Sequence, residues 1–297
     1  MSHDIYLYGM ILQSTAFLLK DAYPAPDTYG EISKKITLTG GETGTCATVL
    51  ASLGCRVKMD GNYLGQNTRE HILRFYAERG VDVSRMTCDE TFEGLEDYIL
   101  IDQGTRTCFG TFGEFFTNGK NRWNLPLFED IASAKAVGLD PFISEGALMG
   151  ARFCAQAGVP YVTIDCPYDS ELNRLAAVNA LSNEYIAATY GDADREELIT
   201  AYAEQSGGLI IFTHGGGELL YARRGGAVKR MPAFKTDVVS TLGAGDSFKA
   251  GCVYALFKGL GDDDTVRFAA ATAACAVAHF PIPLDPPTLE RIHQIMG

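Results

Sequence analysis

From about residue 135 to its end the chain alternates short apolar runs with amphipathic stretches, and no other feature constrains the fold as strongly. Ala136 to Leu139, Pro160 to Ile164 and Leu209 to Phe212 read as strands that are apolar along most of their length. Helical spacing is expected over 144–157, 170–178, 194–205, 244–258, 262–278 and 287–295. Two further strands, near 218–222 and 227–231, frame the turn Arg224-Gly225-Gly226. Strands without a polar face must be covered on both sides. The pattern therefore predicts an α/β fold with a mostly parallel central sheet and helices on both faces.

The N-terminal part departs from this rhythm. Ile5 to Gly9 reads as a buried strand, and Gly40-Gly41-Glu42-Thr43-Gly44 opens a helix that ends near Leu53-Gly54. A short strand over Val57 to Met59 precedes helical spacing at 68–79, with Thr68 as its N-cap. Ile36 to Leu38, 95–101 and 106–112 read as strands, the last two joined at Asp102-Gln103-Gly104. These pieces have no helical partners, so they read as a small β lid contributed by about 11–39 and 95–112. The 297 residues hold no internal repeat and no Pro/Ser-rich linker, which predicts one domain over 1–297.

Composition narrows the function classes. The chain has 25 Lys and Arg against 37 Asp and Glu, a net charge of −12, which argues against nucleic-acid or anionic-membrane partners. A nucleotide, whose few phosphates need only a local site, stays open. The sequence shows no transmembrane-length apolar run, and Met1-Ser2-His3-Asp4 lacks the basic and apolar regions of a secretory signal, so a cytoplasmic enzyme is expected. Eight cysteines without a Cys-x-x-Cys pair read as buried thiols, and the five scattered histidines give no transition-metal cage. Arg223, Arg224, Lys229, Arg230 and Lys235 read as a solvated hairpin face, and Arg106 as an exposed strand residue within reach of a phosphate when the lid closes.

The chemistry concentrates in Ser240-Thr241-Leu242-Gly243-Ala244-Gly245-Asp246-Ser247-Phe248, which opens an apolar helix. Glycines let the backbone turn tightly and leave the first helical N–H groups unpaired, a ready anion site at the positive end of the helix dipole. A carboxylate beside that anion, Asp246, is electrostatically costly unless it serves to accept a proton. An anion hole and a base together suit phosphoryl transfer to a hydroxyl. Neither a Gly-x-x-x-x-Gly-Lys-Ser/Thr loop nor a Gly-x-Ser-x-Gly elbow is present.

This segment resembles, nearly residue for residue, the C-terminal signature of the PfkB carbohydrate kinases, the ribokinase-like family, through Thr241, Gly243, Ala244, Gly245, Asp246, Phe248, Ala250 and Gly251. The resemblance extends over most of the chain. Ile210 to Gly215 is similar to the family's strand and Thr-x-Gly turn beside the nucleotide, Asn183-Glu184 to part of its Asn-x-x-Glu motif, and Gly40-Gly41 to its sugar-side segment. It implies a ribokinase-like fold and transfer of the ATP γ-phosphate to a sugar or sugar derivative, with magnesium. It also implies Asp246 as general base and Gly243, Ala244 and Gly245 as anion hole. Asn183, Thr213 and Gly215 would contact the nucleotide, and Gln13, Gly40, Gly41 and Thr45 the acceptor. A homodimer formed through the lid is a further expectation, because the lid strands would otherwise leave exposed edges.

The departures from the family pattern are informative. Gln13 stands where a sugar-binding Asp is usual, and Thr45 where an Asn follows Gly-Gly. Asp165-Cys166-Pro167-Tyr168-Asp169 lacks the Asn and Arg of Asp-x-Asn-x-Arg, so the acceptor is not named by analogy. Ile186 replaces the Glu associated with magnesium, for which Glu184 is the nearest substitute, and Ser240 replaces an Asp linked to monovalent cations. The metal ligands stay unassigned. A nucleoside or pseudonucleoside kinase, and a ligand-binding relative without catalysis, are the alternative readings.

Overall fold

Six parallel strands form the centre of the computed structural model, which describes residues 3–102, 105–113, 115 and 120–297. They are β1 (Ile5–Gly9), β4 (Val57–Gly61), β9 (Ala136–Leu139), β10 (Tyr161–Ile164), β11 (Val178–Leu181) and β12 (Leu209–Phe212). Two antiparallel strands, β13 (Glu218–Ala222) and β14 (Lys229–Pro232), extend one edge. The sheet order is β14-β13-β12-β11-β10-β9-β1-β4. The architecture is the mostly parallel α/β sheet with helices on both faces that the sequence predicts.

Side chains alternate between the two faces, as the period of a strand requires. Ile5 and Leu7 of β1 join a core with α1 (Glu42–Ser52), α2 (Arg69–Ala77), α8 (Ala244–Lys258), α9 (Asp262–Val277) and α10 (Leu289–Met296). Tyr6 and Tyr8 point the other way, into a core with α3 (Phe128–Ala132), α4 (Ser144–Ala157) and α5 (Glu171–Leu175). A third cluster packs α6 (Asn183–Tyr190) and α7 (Arg195–Gln205) on β12. With both faces covered, β1, β9, β11 and β12 are buried at every position.

The lid is a four-stranded sheet in the order β3-β2-β7-β8, from β2 (Leu12–Leu19), β3 (Ile32–Gly40), β7 (Glu96–Asp102) and β8 (Thr105–Gly110). Asp102 pairs with Thr105, so β7 and β8 form the expected hairpin, while Gln103 and Gly104 lie outside the described residues. At the lid's base the Asn62 amide accepts from Ile11 N at 2.7 Å and donates to Ile11 O at 2.9 Å, clamping the chain where it leaves β1.

Three details differ from the sequence reading. The helix expected over 170–178 stops at Leu175, and Val178–Leu181 is instead a central strand bonded to neighbours on both sides. A run this short and apolar carries no period that separates strand from helix. Thr68 stands at the N-cap of α2, but its hydroxyl accepts from Gly65 N rather than from the helix. Cys88 and Cys108 are exposed and Cys55 is half-buried, whereas the other five cysteines are buried. The basic hairpin face is solvated and paired: Arg223 with Asp262, Lys229 with Asp263, and Arg230 with Glu218 and Glu196.

At the carboxyl ends of β1 and β4 the backbones nearly touch. A Cβ on Gly61 would stand 1.9 Å from the Gly9 carbonyl oxygen, in a backbone conformation (φ +157°) that suits glycine. Gly61→Ala is expected to lose roughly 3 kcal/mol of stability, as overpacking does. A urea midpoint equal to the parent's would contradict this.

Candidate active site

The sheet order reverses between β1 and β9: the chain runs from β1 to β4 on one side and returns to β9 on the other. In open α/β sheets such a switch point, at the carboxyl ends of the strands, is where ligands bind. Met10, Asp140, Asp165, Ser182 and Thr213 all follow the carboxyl ends of parallel strands here. A cavity of about 480 Å³ opens at this end, between the lid and the start of α8.

The floor of the cavity is the N-terminus of α8. Gly243 caps the helix in the left-handed region (φ 74°, ψ 11°). A Cβ there would come within 2.9 Å of Ile282. The first-turn N–H groups, including those of Ala244 and Gly245, have no intrahelical acceptor by helix geometry. Asp246 sits in this first turn and lines the cavity, where Thr45 acts to lower its pKa. Gly40, Gly41 and Thr45 line the same cavity, so four expected acceptor-side and base residues meet there.

Burial pushes the Asp246 carboxyl well above the usual carboxylate range, and the neighbouring Glu42 carboxylate pushes it further. Arg106 opposes the shift. Glu42, the second residue after Gly40, is itself raised, chiefly by burial. Arg106 reaches across from β8 to donate to the Thr241 hydroxyl, just before the glycine turn that opens α8. The sequence reading left Glu42 unremarked, although its place after the Gly-Gly pair was visible.

Gln13 stands apart from the cavity. Leu12 and Ser14 line the cavity, and strand alternation turns Gln13 to the opposite face, where its amide donates to Glu96 at 3.0 Å. Ser14, one residue further, is the β2 hydroxyl that faces the acceptor space, opposite Asp97 in the register of β2 and β7. The offset between Gln13 and Ser14 is one residue, and in a strand one residue changes the face.

The residues expected to contact a nucleotide gather near the ends of β11 and β12. Arg195, the first residue of α7, donates to Asn183 Oδ1 at 2.7 Å and to Thr213 O at 3.1 Å, tying two of the expected positions together. Gly215 lies in the following turn with φ 52°. Asp165 accepts from Ser182 N and Oγ at 2.7 and 3.0 Å, and the Glu184 carboxylate adds to the rise that burial gives its pKa. Ile186 is buried in the α6–α7 core, and Ser240 Oγ accepts from Leu242 N at 3.2 Å.

Beneath the cavity lies an ion pair that sequence reasoning missed. Lys249, one turn after Asp246, donates to Asp140 Oδ1, and both side chains are fully buried. Asp140 Oδ2 accepts from the Thr43 hydroxyl at 2.5 Å and from Met10 N at 3.2 Å. One carboxylate thus joins β1, β9, the start of α1 and α8. Its signal in the sequence was a lysine inside an otherwise apolar helical stretch.

Residues 31–281 match the description pfkB family carbohydrate kinase, and the chain belongs to that family. A 5-dehydro-2-deoxygluconokinase from Clostridium perfringens is 22% identical over 287 residues, covering 86% of this chain and 83% of the relative. Another from Halalkalibacterium halodurans is 32% identical over 104 residues, covering 35% and 31%. A 1-phosphofructokinase from Haemophilus influenzae is 40% identical over 86 residues, 28% of each chain. The chain thus spans about a third of the length of the latter two relatives. Among solved structures, Arabidopsis thaliana ribokinase complexed with ribose and ATP superposes with a TM-score of 0.81 at 17% identity, covering 100% of this chain and 99% of that one. The nucleoside kinase of Methanocaldococcus jannaschii gives 0.76 at 17% identity, covering 99% and 98%.

Two predictions follow from this geometry. Lys249→Met leaves Asp140 buried without its counter-charge and should cost about 3–5 kcal/mol in urea unfolding. Adding Asp140→Asn should recover most of the loss, since the amide oxygen still accepts from Thr43 and Met10; a double variant as unstable as the single would refute the pairing account. The second concerns pH. A base works ionised, so its pKa sets the acid limb of kcat/KM. Arg106→Gln removes a charge that lowers the Asp246 pKa and should move that limb to higher pH, whereas Glu42→Gln should move it to lower pH. Limbs that stay in place, or that exchange directions, would contradict the assigned electrostatics.

Proposed function

We propose that the protein transfers the γ-phosphoryl group of ATP to a hydroxyl of a sugar or sugar-like alcohol. The observation that carries this reading is the juxtaposition of Asp246, the left-handed Gly243 turn and the Gly40-Gly41 segment around one cavity. The acceptor hydroxyl, held between the lid and Gly40-Gly41, gives its proton to Asp246 as its oxygen forms the new bond to phosphorus. The bond from phosphorus to the ADP oxygen breaks, and the negative charge on the transferring group meets the N–H groups of Gly243 to Gly245 and the Arg106 guanidinium. Arg195, Asn183 and Thr213 lie towards the rest of the nucleotide. Closure of the lid keeps out water, which competes for the phosphoryl group.

The donor set also fits magnesium. Mg²⁺ in such enzymes takes one or two carboxylates, with phosphate and water completing its shell. Asp165, after β10, and Glu184, in the first turn of α6, interact electrostatically and supply such a pair, although the described residues include no group of three His, Cys, Asp or Glu placed for a metal ion. When bound, the ion neutralises charge on the β- and γ-phosphate oxygens. Because Ser240 brings no carboxylate, activation by a monovalent cation forms no part of the proposal.

The apolar side chains of Met10, Leu12, Ile99 and Phe112 on the cavity wall favour a nucleoside-like acceptor as the second reading. No helix among the described residues is long and apolar enough to cross a membrane, and a cytoplasmic setting is part of the proposal. So is a homodimer: Tyr98 and Phe109, paired across β7 and β8, stay 37% and 49% exposed on the lid face opposite Ile99. Light scattering should give twice the chain mass; a monomer mass at every concentration would exclude this assembly.

Asp246→Asn tests the reading directly. The amide still hydrogen-bonds a hydroxyl but takes no proton at neutral pH. It should lower kcat by roughly 10²- to 10⁴-fold, with smaller changes in ATP and acceptor affinity. If Asp246 merely caps the helix, Asn serves about as well and kcat stays near the parental value.

A further inference from the structure

The wall of the cavity carries a charge pattern that bears on the acceptor. Three carboxylates, Glu42, Asp97 and Asp246, face it, against one cation among its described lining residues, Arg106. That cation is committed to the phosphoryl end. It donates to Thr241, immediately before the anion hole, and it acts electrostatically on Asp246. Positions 103, 104, 114 and 116–119, which lie outside the described residues, carry no Lys, Arg or His in the sequence. Lys249 lies nearby, but it is fully buried and paired with Asp140.

The far end of the cavity, under the lid, is acidic and apolar. Asp97 Oδ1 is buried and accepts no hydrogen bond, and the Ser14 hydroxyl opposite it in the register only partly offsets the rise that burial gives the carboxyl's pKa. Met10, Leu12, Ile99 and Phe112 supply apolar surface around it. A second phosphate or a carboxylate on the acceptor would enter this end against like charge, at a cost large enough to exclude wrong partners. A hydroxyl or amino group instead supplies the hydrogen that Asp97 lacks.

Resting on the kinase reading above, we propose that the acceptor is a non-anionic alcohol with an apolar face, whose far-end hydroxyl or amino hydrogen donates to Asp97. Sugar phosphates and sugar acids are thereby excluded. This separates the present chain from the acceptors named in the descriptions of its 1-phosphofructokinase and 5-dehydro-2-deoxygluconokinase relatives.

The test uses the full-length protein and matched acceptors. One arm holds neutral compounds (fructose, methyl glucosides, nucleosides), a second amino compounds (glucosamine, 1-amino-1-deoxyfructose), and a third anions (fructose 1-phosphate, gluconate, 2-keto-3-deoxygluconate). ADP release gives kcat/KM, and thermal-shift titration in the presence of a non-hydrolysable ATP analogue gives binding. Neutral or amino members should exceed their anionic counterparts at least 100-fold in kcat/KM, and only they should raise Tm; the two arms tell a hydroxyl donor from an amine. Asp97→Asn should raise KM for the preferred acceptor about tenfold and leave KM for ATP unchanged. Together with Glu42→Gln it should narrow the penalty on anions at least tenfold. Preference for a sugar phosphate or sugar acid, an anion penalty untouched by the double variant, or no Tm shift with any neutral or amino compound would overturn the proposal. Binding of neutral or amino compounds without phosphorylation would instead sink the kinase reading and leave the acceptor chemistry standing.

Discussion

The pairing of Lys249 with Asp140 is the constraint on which the site's geometry depends. Asp140 follows β9, accepts from the backbone after β1 and from the first turn of α1, and holds the ammonium of α8. The proposed anion hole belongs to α8, while the Gly40-Gly41 segment leads into α1. A phosphoryl acceptor and donor must line up to within a fraction of an ångström, so the two segments need a fixed relation. Apolar packing alone holds helices against a sheet but tolerates small slides; a fully desolvated carboxylate with three donors does not. Gly9 belongs to the same device, because a Cβ there would lie 2.1 Å from Asp140 Oδ2.

Around this anchor the cavity concentrates negative charge. Glu42 raises the proton affinity of Asp246 in addition to the effect of burial, Asp97 does the same to Glu42, and Asp165 adds to both. A base with a raised pKa is a stronger proton acceptor, provided that it is ionised at the working pH. Arg106 balances the cluster from the lid, and its position ties charge balance to lid closure. The phosphates of a nucleotide bring still more negative charge, which the helix N-terminus, Arg106, Arg195 and a magnesium ion together would offset.

Much of this was legible in the sequence. Residues 240–248 disclosed both the glycine turn that opens α8 and the carboxylate in its first turn, because a glycine turn before an apolar helix has few structural readings. The parallel core was legible from runs such as Leu209 to Phe212. Less visible was β11, since a strand buried on both faces shows no alternation and Ala-Val-Asn-Ala suits a helix equally. Gln13 illustrates a different limit: similarity locates a segment to within a residue, but in a strand that residue decides the face, and Ser14 occupies the cavity. The Asp140–Lys249 pair spans 109 positions, and nothing local in either segment announces the other. Asp97 became significant once the register of the lid strands put it beside Ser14 on the cavity wall.

Phosphorus-31 NMR of the purified protein with ATP, magnesium and an accepted alcohol tests the central claim most directly. Transfer through Asp246 in a water-excluding cavity predicts a phosphomonoester resonance growing in step with ADP, with inorganic phosphate near background. Growth of inorganic phosphate alone, or ADP formation that does not depend on the alcohol, would contradict phosphoryl transfer to an acceptor hydroxyl.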